Sequence, residues 1–357
     1  MSLIRRAVAV TTLALASGGA WATPCDLAII NYSSGILTPL SAHAECFAGG
    51  WTNVINQING TSFTQALAVS KALEGRWSSD APGPRANAGM LRGMAAGGTV
   101  GKWNLWGNLA NNNNRQNYLA DNGGTSNSDS DVLTATIGAD YLISPGFVVG
   151  LSGAFDKGDT TGTNTLSPDV NQNDTDGWTL APYLGWQINR NWAFDASLGW
   201  GGGKMKSNFN TEADNDRWFA AANLNYERWM GNWQFAGKGS LLHGVEDYDN
   251  MKVAGASTAG TAAENTIDQL RLGVQVGYWM NGFLPYAQLG YTTDLTRKTT
   301  QASAPSDPIG DDAWYWALGA NFFSLPGKIN GGIAYRQEEG RNNQKNWNLM
   351  LNVGFRF

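Results

Sequence analysis

Residues Trp347 to Phe357, WNLMLNVGFRF, decide the fold class because every second residue is large and apolar. Successive side chains of an extended strand point to opposite faces, so these residues share one face. That face carries Trp347, Leu349, Leu351, Val353, Phe355 and Phe357. The other face carries Asn348, Met350, Asn352, Gly354 and Arg356. A wholly apolar face opposite a face of mostly polar and small residues is typical of a strand between lipid and the polar interior of a barrel.

The same alternation recurs along most of the chain upstream of this strand. Soluble antiparallel sheets expose a face dominated by charged residues, whereas here the polar faces hold Gly, Asn, Ser, Gln and isolated charges. The pattern therefore predicts an all-β fold, a twelve-stranded antiparallel transmembrane β-barrel. The twelve segments begin near Val100, Asp131, Phe147, Gly177, Trp192, Arg217, Asn232, Thr266, Phe283, Asp311, Lys328 and Gln344.

The connections between the segments alternate between tight turns and long polar links, as they do in barrels with short periplasmic turns and longer external loops. An open strand edge in lipid would leave backbone groups unpaired at a cost of several kcal/mol each, so the last strand is expected to pair with the first, Val100 to Ala110. The tight turns lie near residues 144–146, 189–191, 230–231, 281–282 and 325–327, and the long links cover 111–130, 158–176, 208–216, 247–265 and 297–310.

Composition excludes several classes of function. The net charge of −5 and the absence of a Lys/Arg cluster on any strand argue against nucleic acid as a partner. Of the two histidines, His43 and His243, the second follows Ser240 by three residues, which places the two on opposite faces of a strand. The sequence has no metal-ligand spacing or phosphate-cradling loop, so we expect no catalysis, no metal and no cofactor.

The first hundred residues predict export and a small helical segment. Residues 1–22 form a signal peptide, with Arg5 and Arg6 before an apolar stretch and small residues at the cleavage site. Residues 23–83 form a short helical segment, in which Cys25 and Cys46 are expected to pair in an oxidising periplasm. Ser62 with Gln65 suggests a capping box, and Gly75 a helix stop. Residues 84–98, rich in Ala and Gly, suit either a slim pore helix with its linker or a flexible periplasmic tail, and 99–357 form the barrel.

Three stretches resemble the translocator domain of autotransporters, the type V secretion proteins. They are LTATIGADYLISPGFVVGLSGAF from Leu133, GWTLAPYLGWQINRNWAFDASLGWG from Gly177 and LRLGVQVGYWMNGFLPYAQLGYTTDL from Leu270. The terminal NVGFRF matches as well. The resemblance implies a twelve-stranded barrel with a helix in its pore, joined to an N-terminal passenger. Known passengers usually run to hundreds of residues, whereas only residues 23–98 precede the barrel here.

The expected function is an outer-membrane translocator barrel that anchors and exposes this short segment; the alternative is a twelve-stranded channel for small solutes. The charged residues expected to face the lumen are Lys102, Asp195, Glu227, Lys238, Arg271, Arg336 and Arg356. Their charges are mixed in sign, which favours a filled pore over a selective channel. The apolar face of the last strand, Trp347 to Phe357, is expected to serve as the assembly signal. The expected partners are outer-membrane lipid and lipopolysaccharide, the barrel assembly machinery and periplasmic chaperones, for a monomer in the outer membrane of a Gram-negative bacterium.

Overall fold

The computed structural model describes most of the chain from residue 61 onward. The described residues are 61–76, 102–119, 125–165, 167–208, 210–253, 255–257, 262–299, 309–324 and 329–357. The predicted signal peptide, Cys25, Cys46 and the predicted pore helix at 84–98 lie outside them. Among the described residues, no helix has the length and apolar character needed to cross a bilayer.

The described residues contain fourteen strands in one antiparallel sheet, and twelve of them make the barrel wall. A short hairpin, β8 and β9, pairs onto one end of β6 and lies outside the wall. The strands are β1 (Trp103–Leu119), β2 (Thr125–Ser144), β3 (Phe147–Asn164), β4 (Ser167–Gln187), β5 (Trp192–Ser207), β6 (Thr211–Met230), β7 (Trp233–Tyr248), β8 (Lys252–Val253), β9 (Ala256–Ser257), β10 (Ala263–Tyr278), β11 (Phe283–Thr299), β12 (Asp312–Ser324), β13 (Ile329–Glu339) and β14 (Gln344–Arg356).

The wall closes on itself through the first and last strands. β1 pairs with β14 from Asn104 opposite Arg356 to Gln116 opposite Gln344, and β5 pairs with β6 on the far side. Each barrel strand therefore has two antiparallel neighbours, and no strand edge is left to face lipid. The prediction of a closed twelve-stranded barrel is confirmed.

The two faces of the wall differ as the alternation predicts. On β14, Leu351, Val353 and Phe355 are exposed by 44%, 51% and 43%, whereas Met350 and Arg356 on the inner face are exposed by 4% and 8%. Apolar side chains on the outside and polar ones on the inside are the reverse of a soluble sheet protein.

Aromatic rings gather on the outer face at both ends of the barrel. Trp103 with Tyr141 and Trp233 with Tyr278 lie near the tight turns, each pair with ring centroids 5.0 Å apart. At the opposite end, Trp314 contacts a ring of β11 with the centroids 5.1 Å apart. Such rings mark the levels of the lipid headgroups. The end with the turns after β2, β4, β6, β10 and β12 is called the short-turn end below, and the other the long-loop end.

Three of the long polar links were wrongly predicted as loops, because most of their residues continue the strands, namely 111–130, 158–176 and 208–216. Residues 158–176 form the ends of β3 and β4, with Asn164 already opposite Ser167. Cross-strand hydrogen bonds hold these extensions together, such as the one from Thr160 to Ser130 at 2.9 Å. β1–β4 are 17 to 21 residues long, β12–β14 only 11 to 13, and about 9–11 residues suffice to cross a bilayer. The wall is therefore tall at β1–β4 and low at β12–β14.

Candidate functional site: the helix inside the barrel

A helix, α1 (residues 61–76), lies in the barrel interior. Gln65 does not complete a capping box with Ser62; its Nε2 donates a hydrogen bond to Ser152 Oγ on β3 at 3.2 Å. Gly75 lies within the helix, and a Cβ added there would stand 2.7 Å from the Asn330 amide oxygen. Gly75 therefore allows close contact with β13 and does not stop the helix at residue 75.

The apolar side of α1 packs against the β1–β7 half of the wall. Val69 and Leu73 contact Trp106, Val148 and Tyr183 in one buried cluster. A second cluster joins the first helical turn to Phe219 and Leu242. Full burial of an aliphatic side chain stabilises by about 1.5–3 kcal/mol, so these contacts supply much of the docking energy.

The middle of α1 is held by charged and hydroxyl groups on β5 and β7. Ser70 Oγ donates to the Asp195 carboxylate at 2.9 Å, and Lys238 Nζ donates to Ser70 Oγ at 2.6 Å and to Glu74 at 3.3 Å. Asn223 adds a hydrogen bond of 2.6 Å to Asp195. A buried carboxylate needs such partners, because an unpaired buried charge is strongly unfavourable.

The C-terminal end of α1 is fixed at the short-turn end of the barrel. The Arg76 guanidinium pairs with Asp140 on β2, both side chains being almost fully buried, and also donates to the backbone carbonyl of Lys102 at 3.0 Å. Arg356 of β14 donates to the carbonyl oxygen of Arg76. The end of the helix thus bridges β2, β1 and β14, where the barrel closes.

The N-terminal end of α1 points towards the long-loop end. Thr64 Oγ1 accepts a hydrogen bond of 3.0 Å from Asn112, halfway along β1. The guanidinium of Arg271 lies over the Phe63 ring, 3.3 Å from its centroid, and that of Arg336 lies at 5.7 Å. Residue 61, where the described part of α1 begins, therefore lies towards the long-loop end of the barrel.

A polar cavity of about 130 Å³ remains between α1 and the β10–β14 half of the wall. Its lining includes amide side chains such as Gln275, Gln288 and Asn352, together with Tyr286. Lys71 of the helix stands over the Tyr286 ring at 5.4 Å. The helix leans against one half of the barrel and leaves a narrow polar space along the other.

The predicted lumenal residues fall into three groups. Glu227 lines the polar cavity and accepts a hydrogen bond from Trp229. Lys102 is exposed at the short-turn rim, with its Nζ 5.8 Å from the Tyr141 ring. The remaining five residues contact α1, namely Asp195, Lys238, Arg271, Arg336 and Arg356.

The sequence analysis did not identify Arg76, Asp140 or Glu338 as interior residues. Asp140 on β2 and Glu338 on β13 alternate with lipid-facing residues, so the sequence pattern places both in the interior. Charged residues rarely face a closed interior without a partner, so each position also indicated a contact inside the barrel.

Comparison with known proteins agrees with this architecture. The family model described as the autotransporter beta-domain matches residues 105–336. The translocator domain of the autotransporter NalP from Neisseria meningitidis is similar in structure, with a TM-score of 0.57 and 13% identity over 83% of this chain and 98% of that one. The transport unit of AIDA-I from Escherichia coli gives 0.54 and 12%, over 81% and 98%.

The beta domain of the Bordetella autotransporter BrkA gives a TM-score of 0.53 and 14% identity, over 72% of this chain and all of that one. Comparison with curated protein sequences finds no significant match. The family model spans well over half of the chain. The chain belongs to the autotransporter family, and its barrel is a translocator domain of the Gram-negative outer membrane.

Proposed function

We propose that the barrel anchors residues 23–60 at the cell surface, with α1 as an uncleaved tether in the pore. The direction of α1 carries this proposal. Its C-terminal residue, Arg76, is bound to Asp140 and to the carbonyl of Lys102 at the short-turn end. Its first turn faces the long-loop end. A segment that precedes residue 61 then has its shortest path through the long-loop mouth.

Further parts of the proposal rest on the sequence. Removal of residues 1–22 leaves a segment that a Cys25–Cys46 disulfide closes into a loop, a loop-entropy gain of about 3 kcal/mol. The terminal strand Trp347 to Phe357 acts as the signal for the barrel assembly machinery, after delivery by periplasmic chaperones. The barrel works as a monomer among outer-membrane lipid and lipopolysaccharide, binds no cofactor and catalyses no reaction.

The alternative function, a channel for small solutes, has the polar cavity beside α1 in its favour. Side chains of α1, among them Leu67 and Lys71, line one side of this cavity and narrow the pore. A free solute pathway requires α1 to leave the pore. The alternative therefore predicts high conductance from the full-length barrel, and the anchoring function predicts low conductance.

Two measurements test the proposal. An epitope placed after Thr23 should be labelled by antibody on intact cells, and a matched epitope in the short turn after β6, at Gly231, should be labelled only after the outer membrane is permeabilised. Absence of labelling at the first site on intact cells would refute surface exposure.

In planar bilayers, deletion of residues 23–98 should raise single-channel conductance several-fold. Equal conductance of the two forms would refute a helix-filled pore.

A further inference from the structure

Four arginines of β10–β14 and their turns share two buried carboxylates near the long-loop end of the interior. Glu338 pairs with Arg336 at 3.0 Å and with Arg271 at 3.4 Å. Asp294 pairs with Arg341 at 2.7 Å and with Arg297. Gln269 joins the two halves, because its amide donates to Asp294 and its oxygen accepts from Arg271, each at 2.5 Å. The six charged side chains form one connected network.

Among the ion pairs of the described residues, the arginines of this network outnumber its carboxylates. Even without Arg297, three guanidinium groups share the carboxylates of Glu338 and Asp294, an excess of one positive charge. The side chain of Arg341 is 3% exposed and those of Arg271 and Arg336 are 11% and 13% exposed. An uncompensated charge at such depth costs several kcal/mol unless a counter-charge is present.

One guanidinium also has donor capacity to spare. Arg336 Nε is buried and has no hydrogen-bond partner in the described part of the chain. Its guanidinium plane lies over the Tyr315 ring at 3.8 Å, and Arg271 lies over Phe63. Stacking on aromatic rings fixes the orientation of a guanidinium and leaves its edge free to bind an oxyanion.

The two stacked arginines face an open space of suitable chemistry. A cavity of about 70 Å³ is lined by Arg271, Arg336 and Glu338, by Asn112 and Asn348, and by the first turn of α1. The space therefore combines two guanidinium groups and amide donors around one side.

We propose that this cavity is a binding site for a small phosphate-class oxyanion, held between Arg271 and Arg336 above the first turn of α1. Guanidinium groups match the paired oxygens of phosphate better than a spherical halide, which gives the site a preference for oxyanions over chloride. All the network side chains lie on the inner side of the wall and are at most 13% exposed, so the ligand is a free anion from solution. A lipid headgroup outside the wall does not reach it.

Calorimetric titration of the full-length barrel in an uncharged detergent tests the site, with inorganic phosphate as the probe and sodium chloride as the background salt. The native barrel should bind one phosphate. Arg336→Gln should weaken binding about 10- to 100-fold, since a hydrogen bond to a charged group is worth about 1.5–3 kcal/mol. Arg115→Gln is the matched control, because Arg115 lies on the outside in an exposed pair with Asp129. It should bind as the native protein does.

Glu338→Gln gives a second test that does not depend on losing a function. This change removes one of the two carboxylates and leaves the arginines in place, so phosphate affinity should increase. The proposal is overturned if the native barrel binds no phosphate beyond the chloride background. It is overturned equally if Arg336→Gln binds as tightly as the native protein, or if Glu338→Gln shows no gain. Surface labelling of residues 23–60 is independent of every one of these outcomes.

Discussion

Replacement of Arg76 by Met should release the C-terminal end of α1 from the barrel. The Arg76–Asp140 pair is 2% and 0% exposed, and the loss of one partner from a buried pair costs about 3–5 kcal/mol. Asp140 keeps hydrogen bonds from Asn104 at 2.9 Å and from Tyr183 at 3.1 Å, so the lower part of that range is expected. The equilibrium between docked and released helix should shift by about two orders of magnitude.

Single-channel recording in planar bilayers measures that shift directly, because a released helix opens the pore. The Arg76→Met barrel should spend at least about tenfold more time in the high-conductance state than the native barrel. Arg115→Met is the control, since its exposed pair with Asp129 is worth at most about 1 kcal/mol and lies outside the lumen. The reasoning is refuted if Arg76→Met gates like the native barrel, or if Arg115→Met opens as often.

A double change separates the ion pair from the remaining contacts of the helix end. Asp140→Asn alone removes the carboxylate that pairs with the buried Arg76 guanidinium. In the Arg76→Met/Asp140→Asn barrel neither charge remains unpaired, so the loss should be smaller than the sum of the two single losses. Strict additivity would show that the two residues do not act as a pair.

Two further changes test the packing of the lumen and the terminal strand. In a denaturant titration, Gly199→Ala should lower the free energy of unfolding by about 1–3 kcal/mol, because the added Cβ would stand 2.1 Å from the buried Phe219 ring. Gly237→Ala is the control. Its added Cβ meets no atom nearer than 3.9 Å, so the free energy of unfolding should not change. Phe357→Ala should reduce the amount of heat-modifiable barrel in outer-membrane fractions. Phe322 also faces lipid, and Phe322→Ala should leave that amount unchanged. Equal losses in the two variants would contradict a special role of the last residue.

Strand number and closure were predictable from the sequence, whereas strand length was not. Alternation with a period of two is produced by the lipid itself, which requires an apolar residue at each outward position of β14 and its neighbours. Above the membrane that requirement ends. Residues such as Asn127, Asp159 and Asn171 have low strand propensity, so the sequence suggests loops there. Pairing along already aligned strands outweighs that preference and continues the wall.

The place of the helix was not predictable from helical periodicity alone. The sequence pointed to 84–98, where small residues suit a slim pore helix, and these residues lie outside the described part of the chain. α1 carries Phe63 and Leu73 into the lumen, and the wall makes room for them. Gly185 lies beneath Leu73, where an added Cβ would be 2.8 Å from its side chain. A glycine on the inner face of a strand, such as Gly185, could therefore have indicated that a bulky residue of the helix lies opposite it.

Three polar contacts at regular spacing fix the depth of the helix in the pore. Thr64, Ser70 and Arg76 are six residues apart, about 9 Å along a helix axis, and each meets a partner at a different height of the wall. A slide by one turn, about 5.4 Å, would break all three contacts at once and leave the carboxylates of Asp140 and Asp195 without their helix partners. The apolar contacts alone tolerate such a slide, because alanine, valine and leucine repeat along that side. The polar contacts therefore set the register of the helix, while apolar burial supplies its affinity.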